Sequence, residues 1–271
     1  MLSHRFPRHP WPCGEAGPVG RIRPTVRQIA ATFCNMSEIR PVDDRSALRA
    51  RRAEPLSGAL PCGKEVWYAA YGSNMHADRL AYYIAGGRPP GGARTYPGCR
   101  DRRLPERTLP VLLPGALYFA LESAVWTGGM GFYDPAADGE MPARAYLVTT
   151  EQFADIAAQE MHRHPGTDLD LTRALAAGSD HLGPGRYETL VCPGTIEGVP
   201  VFTFTAPWAL ADAELNVPCA AYLANFATGL AEAHGWSLEQ AAAYLADRPG
   251  AAGHWSADAV LDALRPASAL P

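Results

Sequence analysis

The chain has 271 residues, 47% of them hydrophobic, and a formal charge of −4 at neutral pH. That length can bury one large core or two small ones, and no run approaches the roughly 18 apolar residues that a membrane-spanning helix needs. Ten of the arginines fall in residues 1–62 against five acidic residues, whereas residues 63–271 carry 14 basic and 23 acidic side chains; a globular part that acidic is a poor binder of nucleic-acid phosphates.

Residues 1–62 are rich in Arg, Pro and Gly and sustain no amphipathic period, which predicts a flexible or disordered N-terminal leader. Pro7, Pro10 and Pro12 spoil an amphipathic targeting helix, and Met36 opens a more conventional polar leader, which makes it a candidate start with residues 1–35 not part of the native product. The six cysteines, at 13, 34, 62, 99, 192 and 219, show no Cys-x-x-Cys spacing. That pattern argues against a zinc ribbon or a thioredoxin-type site, and with no secretory apolar region the expected place is a reducing cytoplasm.

From residue 63 onward, strand-like and helix-like pieces alternate. Residues 66–71 read as a strand and 75–85 as a helix that ends at Gly86-Gly87. A long Pro/Gly/Arg loop is expected over 88–108, then strands over 115–121, 128–133 and 143–148. Thr150 is the expected cap of a helix reaching Met161, with Phe153, Ile156 and Ala157 at core spacing. A polar stretch, 163–184, precedes strands at 187–192 and 201–205, with turns at Gly194 and Gly198. Helices are expected over 218–234, 238–245 and 257–264, and residues 266–271 read as a disordered tail. The pattern predicts one α+β domain over 63–265, with a small mixed barrel-like sheet surrounded by helices.

Tyr71-Gly72-Ser73-Asn74 lies where the first strand breaks into a helix. Glycine lets a ligand approach the backbone, and the first amides of the helix have no internal partners, so such a turn suits an anion. Ser73 and Asn74 can cap that helix or donate to a ligand; an ordinary capped turn is the other reading of these four residues.

Several separate pieces together resemble the γ-glutamylcyclotransferases and their relatives: Tyr71-Gly72-Ser73-Asn74 at the end of a strand, Trp126-Thr127-Gly128-Gly129, the pair Gln159-Glu160 at the end of a helix, Tyr187 at the start of a strand, and Pro218-x-x-x-Tyr222 opening the C-terminal helical part. The match runs in order over residues 66–235. It departs from the family in a longer segment between Glu160 and Tyr187 and in Cys219, where a serine is usual. The resemblance implies cyclisation of a γ-glutamyl compound to 5-oxoproline with release of an amine. Glu160 would be the catalytic acid and base. Tyr71, Gly72, Ser73, Asn74, Tyr187 and Tyr222 would bind the substrate. No metal and no organic cofactor is implied, and the expected partner is a small γ-glutamyl molecule, with the chain a monomer or weak homodimer.

Rival chemistry is thinner. Glu160, His162 and His164 resemble metal ligands on paper, but Pro165 denies them an assured helical face. Ser73 and His76 lack a Gly-x-Ser-x-Gly elbow, and the eight histidines are too dispersed for a zinc amidohydrolase or deacetylase. A non-catalytic metabolite-binding module on the same fold, or an accessory interaction protein docking through its acidic surface and C-terminal helices, remain as alternatives of other classes.

Overall fold

The computed structural model describes residues 50–56, 63–89, 94–123 and 127–265. The predicted leader up to residue 49, Trp126 and the predicted tail 266–271 lie outside the described residues. The strands are β1 (Arg51–Arg52), β2 (Glu65–Ala70), β3 (Thr108–Pro114), β4 (Ala116–Ala120), β5 (Met130–Asp134), β6 (Glu140–Thr149), β7 (Ser179–His181), β8 (Thr189–Ile196) and β9 (Val199–Thr205). The helices are α1 (Ala77–Ala85), α2 (Thr150–Glu160), α3 (Thr172–Ala177), α4 (Ala220–His234), α5 (Leu238–Ala246) and α6 (Ala257–Leu264).

The central strand β2 organises this arrangement. Val66, Trp67, Tyr68, Ala69 and Ala70 are all buried, so the strand reads as a continuous apolar run and not as an alternation. It pairs antiparallel with β6, Tyr68 facing Tyr146, and parallel with β9, Tyr68 facing Phe202. Successive side chains of a strand point to opposite faces. Trp67 and Ala69 therefore enter the core that holds Leu223, Phe226 and Leu230 of α4, together with residues of α5 and α6. Val66, Tyr68 and Ala70 enter the other core, with Leu80 and Ile84 of α1 and Phe153 and Ile156 of α2.

Among the described residues the sheet order is β1-β3-β6-β2-β9-β8-β7, and β4 and β5 form a separate two-stranded ribbon. The fold is thus α+β with a large mixed sheet. The sequence suggested a small barrel-like sheet; the pairing gives a seven-stranded sheet and a two-stranded ribbon, and does not by itself make a barrel.

Three local differences have physical causes. β3 falls almost wholly in residues 109–114, to which the sequence pattern assigned no element, and it carries Pro110 and Pro114. Its outer side is paired by β1 only at Val111 and Leu112, so most of it is edge, where proline is tolerated. Gly194 is not a turn but a bulge within β8, where the pairing with β9 shifts register. A Cβ there would stand 2.2 Å from the Glu54 carbonyl oxygen, because the 53–54 backbone crosses it and pairs with Thr195. The last part of the stretch read as leader is thereby drawn onto the sheet. The polar stretch 163–184, finally, contains α3 and β7.

α2 begins one residue earlier than expected, at a capping box. The Thr149 hydroxyl accepts from the Gln152 amide at 3.0 Å, and the Gln152 side chain accepts from the Thr149 amide at 3.1 Å. On the same helix the fully buried Asp155 accepts from the amides of Arg100 at 2.8 Å and Gly166 at 3.0 Å, and from the Arg100 Nε at 3.1 Å. One carboxylate so ties α2 to the loop before β3 and to the polar stretch that follows the helix.

α4 crosses the chain just after β2 at close range. A Cβ on Gly229 would lie 2.5 Å from the Met75 Cβ and 3.2 Å from the His76 nitrogen. Gly229→Ala is therefore expected to push helix and loop apart and to destabilise the protein by about 1–3 kcal/mol. Urea unfolding measures it, and an unchanged midpoint would show that the contact is looser than its geometry.

Candidate functional site

Where β2 ends, the chain enters a short 3-10 turn at Ser73–Met75. Two tyrosines from the sheet hold this turn. The Tyr146 hydroxyl donates to the carbonyls of Asn74 at 2.9 Å and Met75 at 3.1 Å, and the buried Tyr71 hydroxyl donates to the Phe204 carbonyl at 3.0 Å. With its backbone held this way, the Asn74 side chain, only 4% exposed, turns inward. Its Nδ2 donates to Glu160 Oε1 at 2.9 Å and lies 3.4 Å from the Tyr68 hydroxyl.

Glu160 is the last residue of α2 and is half-buried. The end of its helix is fixed by Gln159, fully buried, whose Nε2 donates to the Tyr83 carbonyl at 2.9 Å and to the Asp155 carbonyl at 3.2 Å. The two halves of the sequence motif, 86 residues apart, are thus joined by one hydrogen bond.

Tyr187 and Tyr222 meet at a single residue of β5. The Tyr187 hydroxyl donates to the Gly131 carbonyl at 3.1 Å, and the Tyr222 hydroxyl accepts from the Gly131 amide at 3.2 Å. Burial pushes Tyr222 up to about 12, with the Glu160 charge adding to it and the Gly131 N–H opposing it. Tyr187 is raised well above the usual phenol value, chiefly by burial and then by Tyr222, Tyr71 and Glu160. Tyr71 is raised likewise, again mainly by burial. All three phenols keep their protons at neutral pH.

Of the residues picked out in the sequence, Ser73, Asn74 and Glu160 stand together, with Tyr71 and Gly72 forming the strand end that carries them. Tyr187 and Tyr222 are within electrostatic reach of Glu160, but their hydroxyls are engaged with Gly131. Trp126 of the Trp-x-Gly-Gly element lies outside the described residues. Cys219 is the N-cap of α4 and makes no side-chain capping bond, as expected of a thiol, a weak acceptor.

Three residues escaped the sequence reading. Arg79, in the first turn of α1, donates from Nε to the Ser73 hydroxyl at 2.8 Å and from Nη2 to the Tyr96 hydroxyl at 3.3 Å. Tyr68 and Tyr83 are both raised by burial first and the Glu160 charge second, so Glu160 stands among phenols from several elements. Arg79 carried a signal: it is the only basic residue between Lys64 and Arg88. The tyrosines carried none beyond strand alternation and helix phase.

His162 Nδ1 lies 3.2 Å from the Arg94 guanidinium. Among the described residues, no group of three or more His, Cys, Asp or Glu side chains could hold a metal ion. Among the same residues no helix is long and apolar enough to cross a membrane.

Beneath the turn lies a charged clip. His76 Nδ1 is 2.8 Å from Glu232 Oε1, and the Arg144 guanidinium donates to Glu232 Oε2 at 3.1 Å and to the Met75 carbonyl at 3.0 Å. The hydrogen bond to Glu232 raises His76 against the opposing effect of burial. Burial alone would raise Glu232, but His76, the Ala77 amide and Arg144 together hold it below the usual carboxylate value. A histidine raised on folding contributes stability that is fully present below its unfolded pKa of about 6.5 and lost as pH rises through its folded value. His76→Gln is accordingly expected to cost more stability at pH 6 than at pH 9. Urea unfolding at both values checks this, and an equal cost at the two would remove the ion pair from the account.

No family model matches the sequence. Among curated proteins, histone deacetylase 5 of Arabidopsis thaliana is 31% identical over 199 residues, covering 67% of this chain and 30% of that protein. The chain thus spans less than a third of the length of the curated relative it matches. Among solved structures, the fold is similar to a gamma-glutamyl cyclotransferase at 15% identity and TM-score 0.40, covering 74% of this chain and 98% of that one. A human protein described as uncharacterized is similar at 16% identity and TM-score 0.40, covering 74% of this chain and 99% of its own.

Proposed function

We propose that the protein cyclises a γ-glutamyl amine or amide to 5-oxoproline and releases the amine, with Glu160 as the acid and base. The observation that carries this reading is the hydrogen bond between the Asn74 amide and the Glu160 carboxylate, which brings together the two elements that the chemistry requires.

A carboxylate can only accept hydrogen bonds, so Asn74 must present its nitrogen to Glu160 and turn its Oδ1 elsewhere. That oxygen is buried and has no hydrogen-bond partner among the described residues. Buried acceptors are ordinarily satisfied, and a substrate ammonium lying between Asn74 Oδ1 and Glu160 would satisfy this one. The ammonium gives a proton to Glu160, which releases it to solvent, and the free amine attacks its own γ-carbonyl. The new C–N bond closes a five-membered lactam. As the tetrahedral intermediate collapses, a second proton leaves the attacking nitrogen for Glu160 and passes to the departing nitrogen, whose bond to the carbonyl carbon breaks. The released amine takes up a proton from water. Because the nucleophile belongs to the substrate, the reaction asks chiefly for geometry, and an oriented intramolecular attack can gain on the order of 7–11 kcal/mol from it. The 71–74 turn would bind the carboxylate or the developing oxyanion, while Tyr187 and Tyr222 form a protonated, aromatic wall.

The name of the deacetylase relative is not carried over, since this chain spans 30% of that protein. The test is release of 5-oxoproline from a panel of γ-glutamyl compounds, with Glu160→Gln run in parallel. The parent is expected to turn over at least one compound, and Glu160→Gln to lose about 10²-fold or more in kcat. Silence across the panel, with equal ligand-induced thermal stabilisation of both proteins, would favour a metabolite-binding module.

A further inference from the structure

The polar stretch that begins at residue 163 is closed at its base by an ion pair. Arg163 follows Glu160 by three residues, and its guanidinium pairs with the carboxylate of Glu188, 25 residues on and next to Tyr187. The partners are unequal, the Glu188 side chain being 11% exposed and that of Arg163 50%. The carboxylate has a second donor in the Gly185 amide, 2.8 Å from Oε2. The Gly183-Pro184-Gly185 turn is folded tightly around it: a Cβ on Gly185 would lie 2.7 Å from the Glu188 Cδ, and one on Gly183 would strike Oε2. The Glu188 carbonyl also accepts from the Leu182 amide at 2.7 Å, so side chain and backbone together hold this turn.

Arg163 is held on the Glu160 side as well. Its amide donates to the Ala158 carbonyl at 2.7 Å and the His162 amide to the Gln159 carbonyl at 3.2 Å, the pair of bonds that closes a helix through a left-handed residue. That residue is His162, φ 57°, where glycine is the usual choice. The Arg94 guanidinium donates to the Gln159 carbonyl at 3.4 Å and lies against His162 Nδ1. Glu160 therefore sits in a fixed turn that ends on Arg163. On the other side, the Tyr187 ring packs against Phe204 with centroids 6.3 Å apart, and Phe204 stacks on Tyr68 at 5.5 Å. The Tyr68 hydroxyl lies 3.4 Å from the Asn74 nitrogen that donates to Glu160. The contacts thus form a closed ring that leaves Glu160 through Asn74 and returns to it through Tyr187, Glu188 and Arg163. We infer that Arg163 and Glu188 are positioning residues, whose ion pair sets Tyr187 against the Glu160 carboxylate and so fixes where the substrate lies between them. They act through Tyr187 and Glu160, not by contact with substrate, and the inference rests on the cyclisation reading for its reaction. An intramolecular attack asks chiefly for geometry, and a misplacement of about 1 Å caused far from the chemistry can cost on the order of 10²-fold.

The test compares Arg163→Gln, Glu188→Gln, the double variant and Arg163→Lys with the parent, all in the full chain, on the γ-glutamyl compound of the panel that the parent turns over best. Each Gln variant is expected to lose about 10-fold or more in kcat per folded molecule, with KM changed by less than about threefold. The double variant should lose no more than the worse single one, since the two residues act as a unit. Arg163→Lys keeps a charge beside Glu188 and should recover most of the loss. Unchanged kcat in the folded fraction, which urea unfolding measures, is what a merely stabilising ion pair gives and would overturn the inference; so would losses that add. Arg163→Gln leaves a buried carboxylate short of a donor, and where that variant does not fold, Glu188→Gln carries the test. If the parent is silent across the panel, the cyclisation reading fails, and amide hydrogen exchange decides this inference separately. Glu188→Gln should then speed exchange in both 158–163 and 182–189, and a change confined to either segment overturns it.

Discussion

The candidate site is built on one partly buried polar contact, the Asn74 amide against the Glu160 carboxylate. A carboxylate that is not fully solvated needs donors, and a buried amide needs acceptors; each is expensive to leave unsatisfied, by roughly 1–3 kcal/mol or more. Much of the surrounding architecture serves to hold these two residues in register. Tyr146 fixes the backbone of the turn from β6, Gln159 fixes the end of α2 against α1, and the buried Asp155 anchors the middle of α2 to the loops on either side.

The strand that delivers the turn can do so because it is covered on both faces. Val66, Tyr68 and Ala70 pack toward α1 and α2, whereas Trp67 and Ala69 pack toward α4 and its neighbours. β2 thus ends inside the protein and not at its surface, and Tyr71 and Asn74 are buried as soon as the strand stops. The helices on the two sides then contribute different parts. α2 brings the carboxylate, α1 brings the arginine, and α4 brings Tyr222 and the Glu232 clip that pins the turn from below.

The electrostatic character of the site follows from its composition. A ring of tyrosines around Glu160 supplies polarity without charge, and burial keeps those phenols protonated. Uncharged donors and acceptors can surround a carboxylate without pairing it off, as a lysine or arginine in direct contact would do. Arg79 reaches the same turn through its hydrogen bond to the Ser73 hydroxyl.

The elements that local chemistry dictates were legible in the chain. The apolar run of β2, the break at Gly72 and, to within one residue, the capped start of α2 follow from propensity, capping and periodicity, and the residues of the candidate site were named from the motifs they sit in. β3 was not legible, because Pro110 and Pro114 argue against a strand unless one knows that it has a mostly unpaired edge. Gly194 read as a turn, because the Glu54 backbone that crosses it comes from 140 residues earlier in the chain. The roles of Arg79, Tyr68 and Tyr83 were hidden for the same reason. The sequence by itself determined those strands, helices and turns whose choice rests on interactions within a few residues, β2 and α2 among them. Only the tertiary structure decided which turn meets which helix end, since a 2.9 Å contact across 86 residues is set by how two cores pack against the two faces of one strand.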